Sequence, residues 1–201
     1  MILIVGGSGS GKSAYAEHVC GKLAGASKKY YIATMRCEGE EGAKRVEKHR
    51  RMREGKSFIT IECATDISKA LDNEGDIEDS VVLLEDLSNL VANEFFDIGF
   101  DEIYGDAKAE TKVEKSMHND LEAYSRKIID KVYGDITELA KKVRRLVVVS
   151  DNIFEDGLRY DEVTKLYMEA LGSINVKLAE NANCVAEVVM GVPLFVKGSL
   201  S

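Results

Sequence analysis

Eight residues, Gly6-Gly7-Ser8-Gly9-Ser10-Gly11-Lys12-Ser13, restrict what this chain can fold into more than any other stretch. They follow the apolar run Ile2–Val5. They precede a segment in which Tyr15, Val19, Leu23 and Ala16, Cys20, Ala24 recur at four-residue intervals. A strand therefore enters the octapeptide and a helix leaves it. The spacing satisfies G-x-x-x-x-G-K-[ST] in full, in the strand-to-helix setting that the motif requires. Glycines let the backbone curl until successive N–H groups converge on phosphate oxygens. The first turn of the helix adds its partial positive charge. Lys12 reaches the β- and γ-phosphates of a nucleoside triphosphate, and the Ser13 hydroxyl ligates Mg²⁺. A glycine-rich turn of no special purpose would need none of this context.

The remaining pattern agrees with such a loop. β-rich runs recur at Tyr30–Ala33, Phe58–Glu62, Val81–Glu85, Leu146–Ser150, Cys184–Met190 and Leu194–Lys197, mostly separated by helix-periodic segments. Alternation of this kind produces crossover units and a largely parallel sheet. Continuous runs such as Val81–Leu84 and Leu146–Val149 suit central strands covered on both faces. Residues 113–143 read as a long charged helix with a break near Gly134. Tyr160–Glu180 reads as an amphipathic helix with Val163, Leu166, Tyr167, Ala170, Leu171, Ile174 and Leu178 inward. Pro193 sits between the last two runs, and a tight turn there makes the C-terminus an antiparallel edge hairpin. Residues 97–114, acidic and glycine-containing, read as an exposed loop. No repeat or linker divides the 201 residues, so one domain spanning 1–201 is expected.

Composition excludes some functions. With 27 Lys and Arg against 35 Asp and Glu, the formal charge is −8, which argues against general nucleic-acid binding. Cys20, Cys37, Cys63 and Cys184 form no C-x-x-C pair and read as reduced thiols. No apolar run is long enough to span a membrane, and the expected location is the cytoplasm.

Two further groups carry chemistry. Glu85 closes the run Val81–Leu84, where a P-loop enzyme needs an acid near the metal; Asp86 follows it. Alternatively both acids simply open the next helix, where carboxylates are favoured. Residues 42–56 are basic, and at 3.6 residues per turn Arg45, His49 and Arg53 share a face. Flanking cations would keep the imidazole neutral and nucleophilic. By spacing alone, this is equally a solvated helix face. His18 and His118 occupy polar helical positions with less to recommend them.

Together these residues resemble the bifunctional adenosylcobinamide kinase and adenosylcobinamide-phosphate guanylyltransferase family of cobalamin biosynthesis. The similarity covers ILIVGGSGSGKS, YIAT at Tyr31–Thr34, R-V-x-x-H-R at Arg45–Arg50, Glu62, VVLLEDLSNLVANEFF at Val81–Phe96, G-x-x-N at Gly172–Asn175 and the closing hairpin. The resemblance implies a P-loop NTPase fold of the RecA-like α/β type, with helices on both faces of a mostly parallel sheet. It implies phosphorylation of adenosylcobinamide by GTP or ATP, then transfer of GMP from GTP to adenosylcobinamide phosphate through a guanylylated His49. It also implies Mg²⁺ at Ser13 and Glu85, and nucleotide contacts from Gly6 to Ser13, Ala33, Thr34, Met35, Arg50, Arg51, Met52, Arg53, Glu62 and Glu85. Lys12 and His49 are the catalytic pair, and a homotrimer is implied. The family's N-E-V-G-x-G-I-V-P after the fifth strand is replaced here by Asp151–Arg159. Asp86 stands where a cysteine is usual and Glu169 where an aspartate is usual. The altered loop keeps open a kinase or nucleotidyltransferase for another phosphate acceptor. A non-catalytic nucleotide-binding module is the third reading.

Overall fold

The most apolar runs become the most deeply enclosed strands. A computed structural model describes residues 1–36, 57–96, 115–154 and 157–200. Its seven strands are β1 (Ile2–Gly6), β2 (Lys29–Ala33), β3 (Ile59–Glu62), β4 (Val81–Glu85), β5 (Arg145–Asp151), β6 (Cys184–Val189) and β7 (Val192–Lys197). They form one sheet in the order β3-β2-β4-β5-β1-β6-β7. The first six are mutually parallel, and β7 runs antiparallel to β6. The helices are α1 (Lys12–Ala24), α2 (Leu87–Phe95), α3 (Lys115–Lys142) and α4 (Glu162–Asn181). The mostly parallel α/β architecture and the C-terminal edge hairpin are those expected from the sequence.

Successive strand residues point to opposite faces, and the core divides accordingly. Leu3, Tyr30, Ile32, Val82, Leu84, Leu146 and Val148 pack with residues of α2, α3 and α4. Ile2, Ile4, Tyr31, Val81, Leu83, Val147 and Val149 pack on the other face with Ala16, Val19, Cys20 and Ala24 of α1. Fully burying such a side chain contributes about 1.5–3 kcal/mol. Because β4 and β5 have both faces covered, alternation disappears from their sequences and continuous apolar runs remain.

Local chemistry sets the element ends. Asp161 caps α4, its carboxylate accepting from the Thr164 N–H at 2.9 Å, so the helix begins two residues after the expected Tyr160. Met190 and Gly191, with φ of 50° and 81°, join β6 to β7 as a two-residue turn. That geometry matches the twist of a hairpin. Pro193 is tolerated because β7 is an edge strand. Beyond the end of β3, Lys131 of α3 lies 2.8 Å from Asp66, 2.5 Å from Glu94 and 3.2 Å from Asp135. Its ammonium occupies the centre of those three carboxylates and ties α3 to α2.

One expectation fails. The break near Gly134 does not occur; α3 runs unbroken from Lys115 to Lys142. Val132, Ile136 and Leu139 are buried on either side of it, and their packing outweighs the glycine's entropy cost. Residues 42–56 and 97–114, read as a basic helix and an exposed loop, lie outside the described residues. A Cβ added at Gly134 meets no atom within 4 Å. Gly134→Ala should therefore stabilise the protein by about 0.5–1 kcal/mol, read as a raised urea midpoint with an unchanged m-value.

Candidate functional site

Parallel strands deliver their carboxyl ends to one edge of the sheet, and the site assembles there. The strand β1 closes at Gly6, and α1 begins at Lys12 with Gly11 as its N-cap at φ 89°. Between them the chain turns tightly, with the Ser10 N–H donating to the Gly7 carbonyl at 3.1 Å. A Cβ at Gly6 would stand 2.8 Å from the Val188 carbonyl oxygen, and one at Gly11 would stand 3.2 Å from Gly191 Cα. Gly6 is thus required by close approach, and Gly11 by close approach and by φ. The hairpin braces the loop from behind, the Gly191 N–H donating to the Ser10 carbonyl at 2.7 Å.

Lys12 is buried, only 8% exposed. Its ammonium curls back over the loop to donate to the Gly7 carbonyl at 3.3 Å and forms an ion pair with Asp151. The Ser13 hydroxyl donates to Oε1 of Glu85, across 72 residues of sequence. The other oxygen, Glu85 Oε2, is buried and has no hydrogen-bond partner among the described residues. Burial pushes the Glu85 carboxyl up to about 7, and the neighbouring Asp86 adds to this, against the opposing hydrogen bond from Ser13 and the charge of Lys12. An acid so placed, with one oxygen on the P-loop serine and one orphaned, fits an oxygen-seeking cation such as Mg²⁺.

The other expected residues divide. Ala33 lies in register with both Glu85 and Glu62, so the three share a row across β3, β2 and β4. Glu62 closes the edge strand and is exposed; Met35 is half-buried. Thr34 is fully buried. Its hydroxyl bonds the Asp86 N–H and carbonyl at 2.8 Å, and its carbonyl accepts from Asn93 at 2.7 Å. Its hydroxyl joins the ends of β2 and β4. His49, Arg50, Arg51, Met52 and Arg53 lie outside the described residues, as does Cys37.

Sequence reasoning misses Asp151 and Ser88. Asp151 reads from the sequence as the start of an altered loop; it is the last residue of β5, in register with Gly6. The signal is available, because Asp151 ends an apolar run just as Glu85 does. Ser88 reaches Asp86 at 2.8 Å and Asp151 at 3.1 Å, sharing its single proton between the two carboxylates. Asp86 also caps α2 through the Asn89 N–H at 2.7 Å, so the helix-opening role weighed for this acid holds, while Glu85 faces the P-loop. Burial raises the Asp86 carboxyl above its ordinary range. A cavity of about 880 Å³ adjoins the loop, bounded by Gly7–Ser10, Asn152, Tyr160, Tyr167 and Met190.

A glycine-rich strand-to-helix loop, its lysine and serine facing acids on neighbouring parallel strands, defines a P-loop nucleotide-binding protein. The family model described as cobinamide kinase / cobinamide phosphate guanyltransferase matches residues 2–196. The bifunctional adenosylcobalamin biosynthesis protein CobU of Escherichia coli (strain K12) is 29% identical over 198 residues, covering 98% of this chain and 99% of that protein. Its counterpart from Salmonella typhimurium (strain LT2) is 27% identical with the same coverage. Among solved structures, the flagellar accessory protein FlaH from Methanocaldococcus jannaschii aligns at 13% identity with a TM-score of 0.42, over 99% of this chain and 78% of its own. This chain belongs to the cobinamide kinase / cobinamide phosphate guanyltransferase family.

The raised Glu85 has a consequence for stability. Its folded carboxyl titrates near 7 instead of 4.5, so without metal the folded chain binds the extra proton between those values. Stability therefore falls as pH rises from about 4.5 to about 7 and stays lower above it. Glu85→Gln should be more stable than the parent at pH 8 by about 1–3 kcal/mol in metal-free urea titrations, and no more stable at pH 4. Adding Mg²⁺ and GTP should narrow or reverse the difference at pH 8.

Proposed function

We propose that this protein phosphorylates adenosylcobinamide and then converts the phosphate to adenosylcobinamide-GDP. The observation that carries the reading is the Ser13–Glu85 contact with its orphaned carboxylate oxygen, in a chain whose family model is named for both reactions. Ser13 and Glu85 would hold Mg²⁺, which when bound neutralises phosphate charge. Lys12 neutralises the β- and γ-phosphates, while the loop's N–H groups orient them. In the first step the aminopropanol hydroxyl of adenosylcobinamide takes the γ-phosphoryl group of GTP or ATP.

In the second, an imidazole nitrogen of His49 attacks the α-phosphorus of GTP. The bond to the α,β-bridging oxygen breaks and pyrophosphate leaves. A phosphate oxygen of adenosylcobinamide phosphate then displaces the imidazole and takes the GMP. Arg50, Arg51 and Arg53, in the same basic stretch, contact the nucleotide. Ala33, Thr34, Met35 and Glu62 complete its site, and the enzyme works as a cytoplasmic homotrimer. The exposed Val192, Leu194 and Val196 of β7 favour self-association, and no described helix is long and apolar enough to cross a membrane.

A second reading, a related enzyme for another phosphate acceptor, is favoured by one observation. Asn152 and Ile153 of the altered segment line the cavity beside the P-loop, so a changed segment borders the space next to the phosphates.

The test is adenosylcobinamide with Mg²⁺ and GTP, products resolved as the phosphate and the GDP derivative. Both should form, and His49→Ala should lose the second by at least about 10³-fold while keeping the first. Lys12→Ala should impair both. A GMP adduct on His49 without turnover of adenosylcobinamide would move the assignment to another acceptor.

A further inference from the structure

We infer that Asn93 of α2 is a positioning residue for the nucleoside half of the site. Its amide holds the carboxyl ends of β2 and β3 at the spacing on which Ala33, Thr34, Met35 and Glu62 depend. The inference rests on the reading above in which those four residues contact the nucleoside triphosphate. The phosphate loop needs no such help, because β1 lies between β5 and β6 and is paired on both sides. The nucleoside half is built differently. The strand β3 forms an edge of the sheet, has four residues and pairs with β2 alone. Ile59, Thr60 and Glu62 are exposed, so little apolar burial fixes this strand. Past Glu62, the Cys63 N–H still donates to the Ala33 carbonyl at 2.9 Å. Further on, α2 supplies the links.

Asn93 reaches both strand ends at once. Its Nδ2 donates to the Thr34 carbonyl at 2.7 Å and to the Ala64 carbonyl at 3.0 Å. Thr34 follows the last residue of β2, and Ala64 lies just past the end of β3. A carbonyl oxygen only accepts, so the two contacts use both protons of the amide nitrogen. Glu94 extends the clamp, its Oε1 accepting from the Asp66 N–H at 2.8 Å and from Lys131. Ala64 and Asp66 are thereby fastened to α2. The helix is itself fixed at its first turn, where Asp86 caps it and the Thr34 hydroxyl bonds the Asp86 backbone. The result is a row of set spacing, with Glu62, Ala33 and Glu85 in register across three strands. Both side-chain hydrogen bonds of Asn93 go to main chain, so it acts through that row and not on the ligand.

The bland alternative is that Asn93 only stabilises the fold. Two ligands separate the readings, because inorganic tripolyphosphate fills the phosphate loop alone whereas GTP also engages the nucleoside half. The test is calorimetric binding of each to the full-length protein in Mg²⁺. Asn93→Ala removes the amide. Asn93→Asp keeps its shape but sets a carboxylate against two carbonyl oxygens, none of which can donate. In both variants GTP should bind about 10–100-fold more weakly, the loss expected for two hydrogen bonds, while tripolyphosphate stays within about threefold of the parent value. Equal losses for the two ligands, or GTP binding unchanged in both variants, would overturn the assignment. The reading beneath it is probed separately by Met35→Ala combined with Glu62→Ala. GTP affinity unchanged by that pair would remove the nucleoside half from this edge of the sheet, and the assignment with it.

Discussion

The pairing of β5 between β1 and β4 is the constraint on which the site depends. It places one strand between the phosphate loop and Glu85, and it closes that gap with Asp151 rather than with an apolar residue. The ladder is parallel because each connection returns to the same end of the sheet. All six parallel strands therefore deliver their terminal residues to one edge, where ligands of open α/β sheets bind. The apolar residues behind that edge form two closely packed layers, so the polar ends have no freedom to drift apart.

That arrangement concentrates unlike requirements in a small volume. Lys12, Glu85 and Asp86 are all largely withdrawn from water, and Glu85 keeps an oxygen without a partner among the described residues. Buried charge without full compensation is costly, and a phosphate-bearing ligand with its cation would relieve that cost. In the proposed function Lys12 exchanges Asp151 for phosphate, and Glu85 exchanges a proton for a metal. The structure itself shows these side chains as partners of one another, Lys12 with Asp151 and Glu85 with Ser13. The cluster between α2 and α3 follows a different logic: Lys131 sits among Asp66, Glu94 and Asp135, and its ammonium compensates their charge within the chain itself.

Much of the fold is legible in the sequence because its signals are local. Every strand falls within two residues of its expected bounds, since apolar runs bounded by polar residues need only hydrophobic burial to explain them. The inward face of α4 follows from its spacing, and six of its seven named residues are buried; Tyr167 is half-exposed at the cavity. Gly134 misleads because propensity is a weak local term, whereas the packing of Val132, Ile136 and Leu139 is a strong tertiary one. Glu85 is legible because an acid ending a buried strand has few structural reasons to be there. Asp151 carries the same signal, but it is masked because the segment beginning there departs from its family's pattern.

By itself the sequence determined the phosphate loop, because its glycines, lysine and serine act through the backbone of eight consecutive residues and the helix that follows them. It also determined the identity and approximate bounds of the strands. Only the tertiary structure decided which acids meet that loop. Ser13 and Glu85 are 72 residues apart. Ser88 touches Asp151 across 63. Thr34 commits its hydroxyl to the backbone of Asp86, 52 positions away. No local pattern encodes these encounters. They follow from strand order and register, which are set by the simultaneous burial of both sheet faces.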